Sequence, residues 1–176
     1  METLIVYYSR TGTTREIADR LSVHLNADLL ELEDSRDRSG IFGLIRSGFD
    51  ALTSNVTVID DFDHQIDEYD AIIIGTPVWA GKMTPAVRTF LLGNAGVLPE
   101  VAFFVTLAGS SPRGTLEGME ELADKEPLAN LILNKDEALG QKGDRDKEIE
   151  EFVRMICDKI EEKPGDTCEA NKKSPI

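Results

Sequence analysis

Short apolar runs and helix-period stripes alternate along the chain. Leu4-Ile5-Val6-Tyr7-Tyr8 is an unbroken apolar run, after which Ile17, Ala18, Leu21 and Leu25 recur at helical spacing up to Asn26-Ala27-Asp28. Leu29-Leu30-Glu31-Leu32-Glu33 reads as a second strand, and its imperfect alternation predicts a place near a sheet edge. Residues 34 to 40 are charged. Ile41, Phe42, Ile45, Phe49 and Leu52 then return to helical spacing, although Gly40, Gly43 and Gly48 weaken the propensity. Two readings of those glycines stand: a crossover helix packed tightly on the sheet, or close approach to a ligand or neighbouring subunit. Asn55 to Asp70 is a long acidic connection with one extended piece, Val56-Thr57-Val58-Ile59.

Ala71-Ile72-Ile73-Ile74-Gly75 is the most continuous β-branched run, as expected for a strand buried on both faces. It opens into Thr76-Pro77-Val78-Trp79-Ala80-Gly81-Lys82-Met83. A helix follows, with Thr84 at its N-cap, Pro85 at its first position, and Val87, Phe90 and Leu91 on one face. Val101 to Val105 reads as a fourth strand, and Thr115 as the cap of a helix bearing Leu116, Met119, Leu122 and Ala123. Leu128 to Leu133 is a fifth strand and Asn134 to Gly143 a loop. Ile149, Phe152, Val153, Ile156 and Ile160 then make the cleanest amphipathic helix. One domain over residues 1–162 is expected, with a polar tail over 163–176 that has nothing to bury.

Strands alternating with helices predict a three-layer α/β/α fold around a five-stranded parallel sheet. Ligands of such folds bind outside the carboxyl ends of the strands. The loops after strands one, three and four carry the unusual chemistry, which selects the order 2-1-3-4-5, because that order brings them together.

Composition narrows the function classes. The 176 residues suffice for one full core, and a net charge of -14 argues against nucleic-acid and anionic-membrane surfaces while suiting a basic protein partner. Met1-Glu2-Thr3 has no cationic leader, no apolar run nears the ~18 residues that span a bilayer, and Cys157 and Cys168 form no CxxC pair. A cytoplasmic chain is the expectation.

The first loop, Ser9-Arg10-Thr11-Gly12-Thr13-Thr14, sets hydroxyls around one glycine at a helix start, where free N–H groups and the dipole suit a phosphate. A capped turn without any ligand has the same appearance. The second loop supplies Trp79 flanked by Pro77, Gly81 and Lys82, and the third supplies small residues with free backbone groups. A flat heteroaromatic phosphate ester fits this set. FMN suits it better than ATP, because no nearby motif handles a polyphosphate or a metal. Gly75 to Lys82 fails as a phosphate-binding P-loop, with five residues between its glycines where four are needed and Met83 where a hydroxyl should ligate magnesium. A phospho-receiver domain would need acidic residues where Tyr8-Ser9 and Gly75-Thr76 stand. His24 and His64 lack metal-ligand spacing, and Cys157 reads as a packing thiol.

Ser9 to Thr14 resembles the S/T-x-T-G-N-T phosphate loop of flavodoxins. Gly75 to Gly81 followed by Pro85-Ala86-Val87-Arg88-Thr89-Phe90-Leu91 is similar to the strand-three region of flavodoxins and related NAD(P)H–quinone reductases. The resemblance spans residues 2 to 162 and lacks the strand-five insertion of long-chain members. It implies non-covalent FMN, with the phosphate on residues 9 to 14. The ring system would lie between Pro77, Val78, Trp79, Ala80, Gly81 and Lys82 on one side and Thr106, Leu107, Ala108, Gly109 and Ser110 on the other.

Two departures bear on function. Thr13 replaces the usual Asn, and a backbone amide survives that change. Residues 107 to 114 hold no aromatic, which implies a flavin face open to a substrate, a nicotinamide or a neighbouring subunit. Lys82 near the ring would stabilise a reduced, anionic flavin by roughly 1–4 kcal/mol, the range for a charge pair near a surface. A solvated lysine at a helix start is its other reading, as loop packing is for Trp79. An electron carrier serving redox partner proteins is favoured by the acidic surface. An enzyme passing two electrons from NAD(P)H to a quinone or similar acceptor is favoured by Lys82 and the aromatic-free loop. A domain without cofactor that only binds a partner is the third alternative, and a dimer is compatible with all of them.

Overall fold

Ala71 to Ile74 are wholly buried at the centre of the sheet, covered on both faces as their unbroken apolar character requires. The computed structural model describes residues 1–33, 65–109, 111–140 and 143–162. The glycine-containing stripe of residues 40–53, the extended piece 56–59, Ser110, His64, Cys168 and the tail 163–176 lie outside the described residues.

The elements in order are β1 (Thr3–Tyr7), α1 (Thr13–Leu25), β2 (Asp28–Glu31), β3 (Ala71–Pro77), α2 (Pro85–Asn94), β4 (Glu100–Leu107), α3 (Arg113–Ala123), β5 (Asn130–Asn134), α4 (Lys135–Ala138) and α5 (Arg145–Glu161). A short 3-10 turn, Ile66–Glu68, leads into β3. The five strands run parallel in the order β2-β1-β3-β4-β5, as the three-loop criterion predicts. β2 is an edge strand whose first two residues are exposed and last two half-buried, in keeping with its weak alternation.

Side-chain alternation divides the core. Ile5, Ile73 and Phe104 face one layer with Leu21 of α1 and Phe152 and Ile156 of α5. Val6, Ile72, Ile74 and Phe103 face the other with Phe90 of α2 and Met119 of α3. Cys157 is buried in the first layer, as a packing thiol should be. Gly75 lies directly beside Phe104 in the β3–β4 register, where a methyl group would stand 2.0 Å from the ring's Cζ. The phenyl ring therefore occupies the space a side chain would take.

Two sequence expectations need correction, Thr115 as a cap and residues 134–143 as a plain loop. Thr115 does not cap α3: Pro112 already has helical backbone angles, so the helix begins at Arg113. The Ser111 hydroxyl accepts from the Arg113 N–H at 3.4 Å, and Thr115 is buried with its hydroxyl unpartnered among the described residues. Thr84 does occupy the N-cap of α2, but its hydroxyl turns to that of Thr76 (3.2 Å). The 134–143 connection also contains a helix, α4. Asn134 caps it by accepting from the Asp136 and Glu137 N–H groups, while Glu137 accepts from the Asn134 N–H at 2.8 Å. That capping box is present in the sequence as Asn134-x-x-Glu137.

Candidate functional site

The carboxyl ends of β1, β3 and β4 lie side by side, so their loops converge. Gly12, with φ of 85°, makes the turn from β1 into α1. A methyl group there would have space, so it is the backbone angle that calls for glycine. Gly12 offers no side chain to cap α1, and Ser9 supplies a substitute: its hydroxyl accepts from the Arg15 N–H at 3.2 Å. The N–H groups of Thr13 and Thr14 have no acceptor among the described residues. Two bare donors at the positive end of a 13-residue helix remain. Thr11 and Thr13 add hydroxyls 3.4 Å apart.

Arg15 takes no part in this donor set. Its guanidinium forks onto Glu31 of β2 through contacts of 2.6 to 2.9 Å, and the Tyr7 hydroxyl donates to the same carboxylate at 3.3 Å. The bonded Glu31 carboxylate holds the Arg15 pKa above its usual value. Burial first, and Glu31 second, push that of Tyr7 upward. The cluster clamps the start of α1 to the sheet edge.

The second loop is a tight hairpin. Trp79 and Lys82 exchange both backbone hydrogen bonds, at 2.9 and 3.0 Å, around Ala80 and Gly81. Directly opposed residues of such a pair project from the same face, so Trp79 and Lys82 leave the hairpin together. Both turn residues have positive φ, 50° at Ala80 and 78° at Gly81, as a type I′ turn requires. For alanine this conformation costs roughly 1–2 kcal/mol. An Ala80→Asn chain is accordingly expected to gain about 0.5–1 kcal/mol in urea unfolding; an unchanged or lower midpoint would show that the turn does not strain the alanine.

Trp79 is 36% exposed and engages the first loop. Tyr8 meets it edge-on, with ring centroids 5.6 Å apart at 89°, and the Arg10 guanidinium lies 5.9 Å from its ring centroid. The latter is within cation–π range. Arg10 belongs to the phosphate loop by sequence, and no local pattern announces its contact with the tryptophan across two loops. Arg10 and Lys82 are exposed and form no ion pair among the described residues. Behind the hairpin stands α3, where a methyl group on Gly114 would lie 3.1 Å from the Gly81 carbonyl oxygen.

The remaining expected residues divide by depth. Pro77 ends β3 half-buried, whereas Val78 points into the core and donates its N–H to the Thr106 carbonyl at 2.8 Å. Thr106 is buried too, with its hydroxyl 2.9 Å from that of Thr14. Leu107 packs partly against the second core layer, Ala108 is exposed, and Gly109 turns the chain with φ of 111°. His24 is exposed in the last turn of α1. No helix among the described residues is long and apolar enough to cross a membrane.

No family model and no curated protein matches the chain. Solved structures do match. A flavoprotein from Lactobacillus acidophilus NCFM, in complex with FMN, is 25% identical with a TM-score of 0.58, covering 80% of this chain and 97% of its own. A flavodoxin, WrbA-like protein from Agrobacterium tumefaciens is 16% identical with a TM-score of 0.62, over 92% and 98% of the two chains. A flavodoxin from Fusobacterium nucleatum, bound to flavin mononucleotide, is 14% identical with a TM-score of 0.57, over 90% and 99%.

Proposed function

We propose that this chain, whose fold is that of the flavodoxins, binds FMN non-covalently at the carboxyl edge of its sheet and serves as an electron-transfer protein. One observation carries the reading: a helix start with bare N–H donors adjoins an exposed tryptophan that Tyr8 and Arg10 tie to the same loop. Phosphate donors and an aromatic wall thus share one surface. FMN-bound neighbours of the same fold support the choice of cofactor.

The residues present suit the group. Thr11, Gly12, Thr13 and Thr14 would hold its phosphate through N–H and hydroxyl donors, with Ser9 keeping the helix start in shape. Trp79 would pack on the ring system, and Gly109 would give the opposite loop a close approach. FMN when bound supplies the redox chemistry, accepting and releasing electrons one or two at a time, while the protein sets orientation and electrostatics. Arg10 and Lys82 bring positive charge to the Trp79 side and favour reduced, negatively charged states of a ligand there. They also favour a second reading, two-electron reduction of a small acceptor by NAD(P)H.

Titrating the ligand-free protein with FMN while following the fluorescence of Trp79, its single tryptophan, tests the proposal. Saturable quenching at one FMN per chain is expected, and a protein that ignores FMN would overturn it. Reductive titration then separates the two activities. Electron exchange with a protein partner and no NAD(P)H turnover supports the carrier, whereas quinone-dependent NAD(P)H oxidation supports the reductase.

A further inference from the structure

The first turn of α1 and the end of β4 are joined by a contact between residues 92 apart in sequence. The Thr14 and Thr106 hydroxyl oxygens lie 2.9 Å apart, with Thr14 only 1% and Thr106 only 4% exposed. Resting on the FMN reading above, we propose that Thr106 is a positioning residue for the phosphate. By donating its hydrogen to Thr14 it leaves the Thr14 hydroxyl free to donate to a phosphate monoester, so loss of the Thr106 hydroxyl should cost phosphorylated flavin more than unphosphorylated flavin.

The inference follows from hydrogen counting. Each hydroxyl has one hydrogen and can accept from others. Between two buried hydroxyls with no other side-chain partner among the described residues, one hydrogen is used and the other has no acceptor. If Thr14 donates to Thr106, the unused hydrogen is on β4, behind the loop. If Thr106 donates to Thr14, the unused hydrogen is on the first turn of α1, beside the bare Thr13 and Thr14 N–H groups. A dianionic phosphate monoester accepts and does not donate, so only the second direction satisfies both hydroxyls once it is present. The Thr106 carbonyl already accepts from Val78, which fixes its backbone and leaves the hydroxyl as its variable group. This assigns Thr106 to the phosphate end of the site, where the flavodoxin resemblance implies a place beside the ring.

The test compares FMN with riboflavin, which has the same ring system and no phosphate, on the full chain. Thr106→Val keeps the shape and removes the hydroxyl, and Thr106→Ser restores it. Thr106→Val is expected to weaken FMN binding roughly tenfold and to leave riboflavin affinity within about twofold, with Thr106→Ser close to the parent. Equal losses for both flavins would place Thr106 against the ring and overturn the proposal, as would no loss for either. Inorganic phosphate supplies a readout independent of flavin. It should raise the melting temperature of the ligand-free parent and of Thr106→Ser more than that of Thr106→Val, and an equal rise in all three would overturn the proposal. If the parent bound neither flavin, the FMN reading would fall, and the phosphate comparison would still decide the role of Thr106.

Discussion

A Thr11→Glu chain is expected to lose most of its affinity for FMN while folding normally. Thr11 is exposed beside the helix start, so a longer side chain there can extend into solvent, giving up only the 3.4 Å hydroxyl contact with Thr13. Its charge would stand near the bound phosphate. Two like charges a few ångströms apart at a protein surface repel by roughly 4 kcal/mol at an effective dielectric constant near 20, and screening at an exposed site reduces this to about 2–4 kcal/mol. The corresponding loss in affinity is roughly 30- to 1000-fold. Thr11→Gln, equal in shape and uncharged, should lose far less, and riboflavin should bind the Glu and Gln chains alike. Matching FMN affinities for those two chains would mean that the phosphate does not sit on this loop.

The other large effect is on stability. Gly75→Ala would place a methyl group 2.0, 2.2 and 2.6 Å from Cζ, Cε1 and Cε2 of Phe104. Neither partner can yield readily. Gly75 is paired on both sides, with Tyr7 and Phe104, and the phenyl ring has no exposure to solvent. Overpacking a core commonly costs 1–3 kcal/mol, and with both strands held the upper end, about 3 kcal/mol, is expected. This is a large part of the roughly 5–15 kcal/mol that holds a domain together, and it should lower the melting temperature by about 6–12 °C. Adding Phe104→Leu removes the clash, so the double variant should melt above Gly75→Ala alone. If Gly75→Ala melts with the parent, the ring does not fill that space.

Much of this fold is legible in the amino-acid sequence. The β-branched run at Ala71–Ile74 and the Thr84-Pro85 pair identified β3 and the start of α2, since burial on both faces and helix entry leave local signatures. The strand order is legible from chemistry, because the order 2-1-3-4-5 gathers the three unusual loops. Thr115 misled because a hydroxyl before an apolar stripe looks like a cap, whereas Pro112 and Ser111 had already begun the helix. α4 went unread because its four residues are too short for a periodic stripe, and its capping box was the available signal. The Tyr8, Arg10 and Trp79 cluster and the Thr14–Thr106 bond depend on how loops meet in space, which spacing along the chain does not encode.

The ties among the loops have a kinetic consequence. Thr14 to Thr106, Val78 to Thr106, Tyr8 to Trp79 and Gly114 against Gly81 tie the three loops to one another and to α3 through the chain's own groups. A site whose loops are tied together in this way pays little ordering entropy on binding. Association should then proceed in a single phase with a rate proportional to ligand concentration, and differences among variants should be expressed mainly in how long the ligand stays.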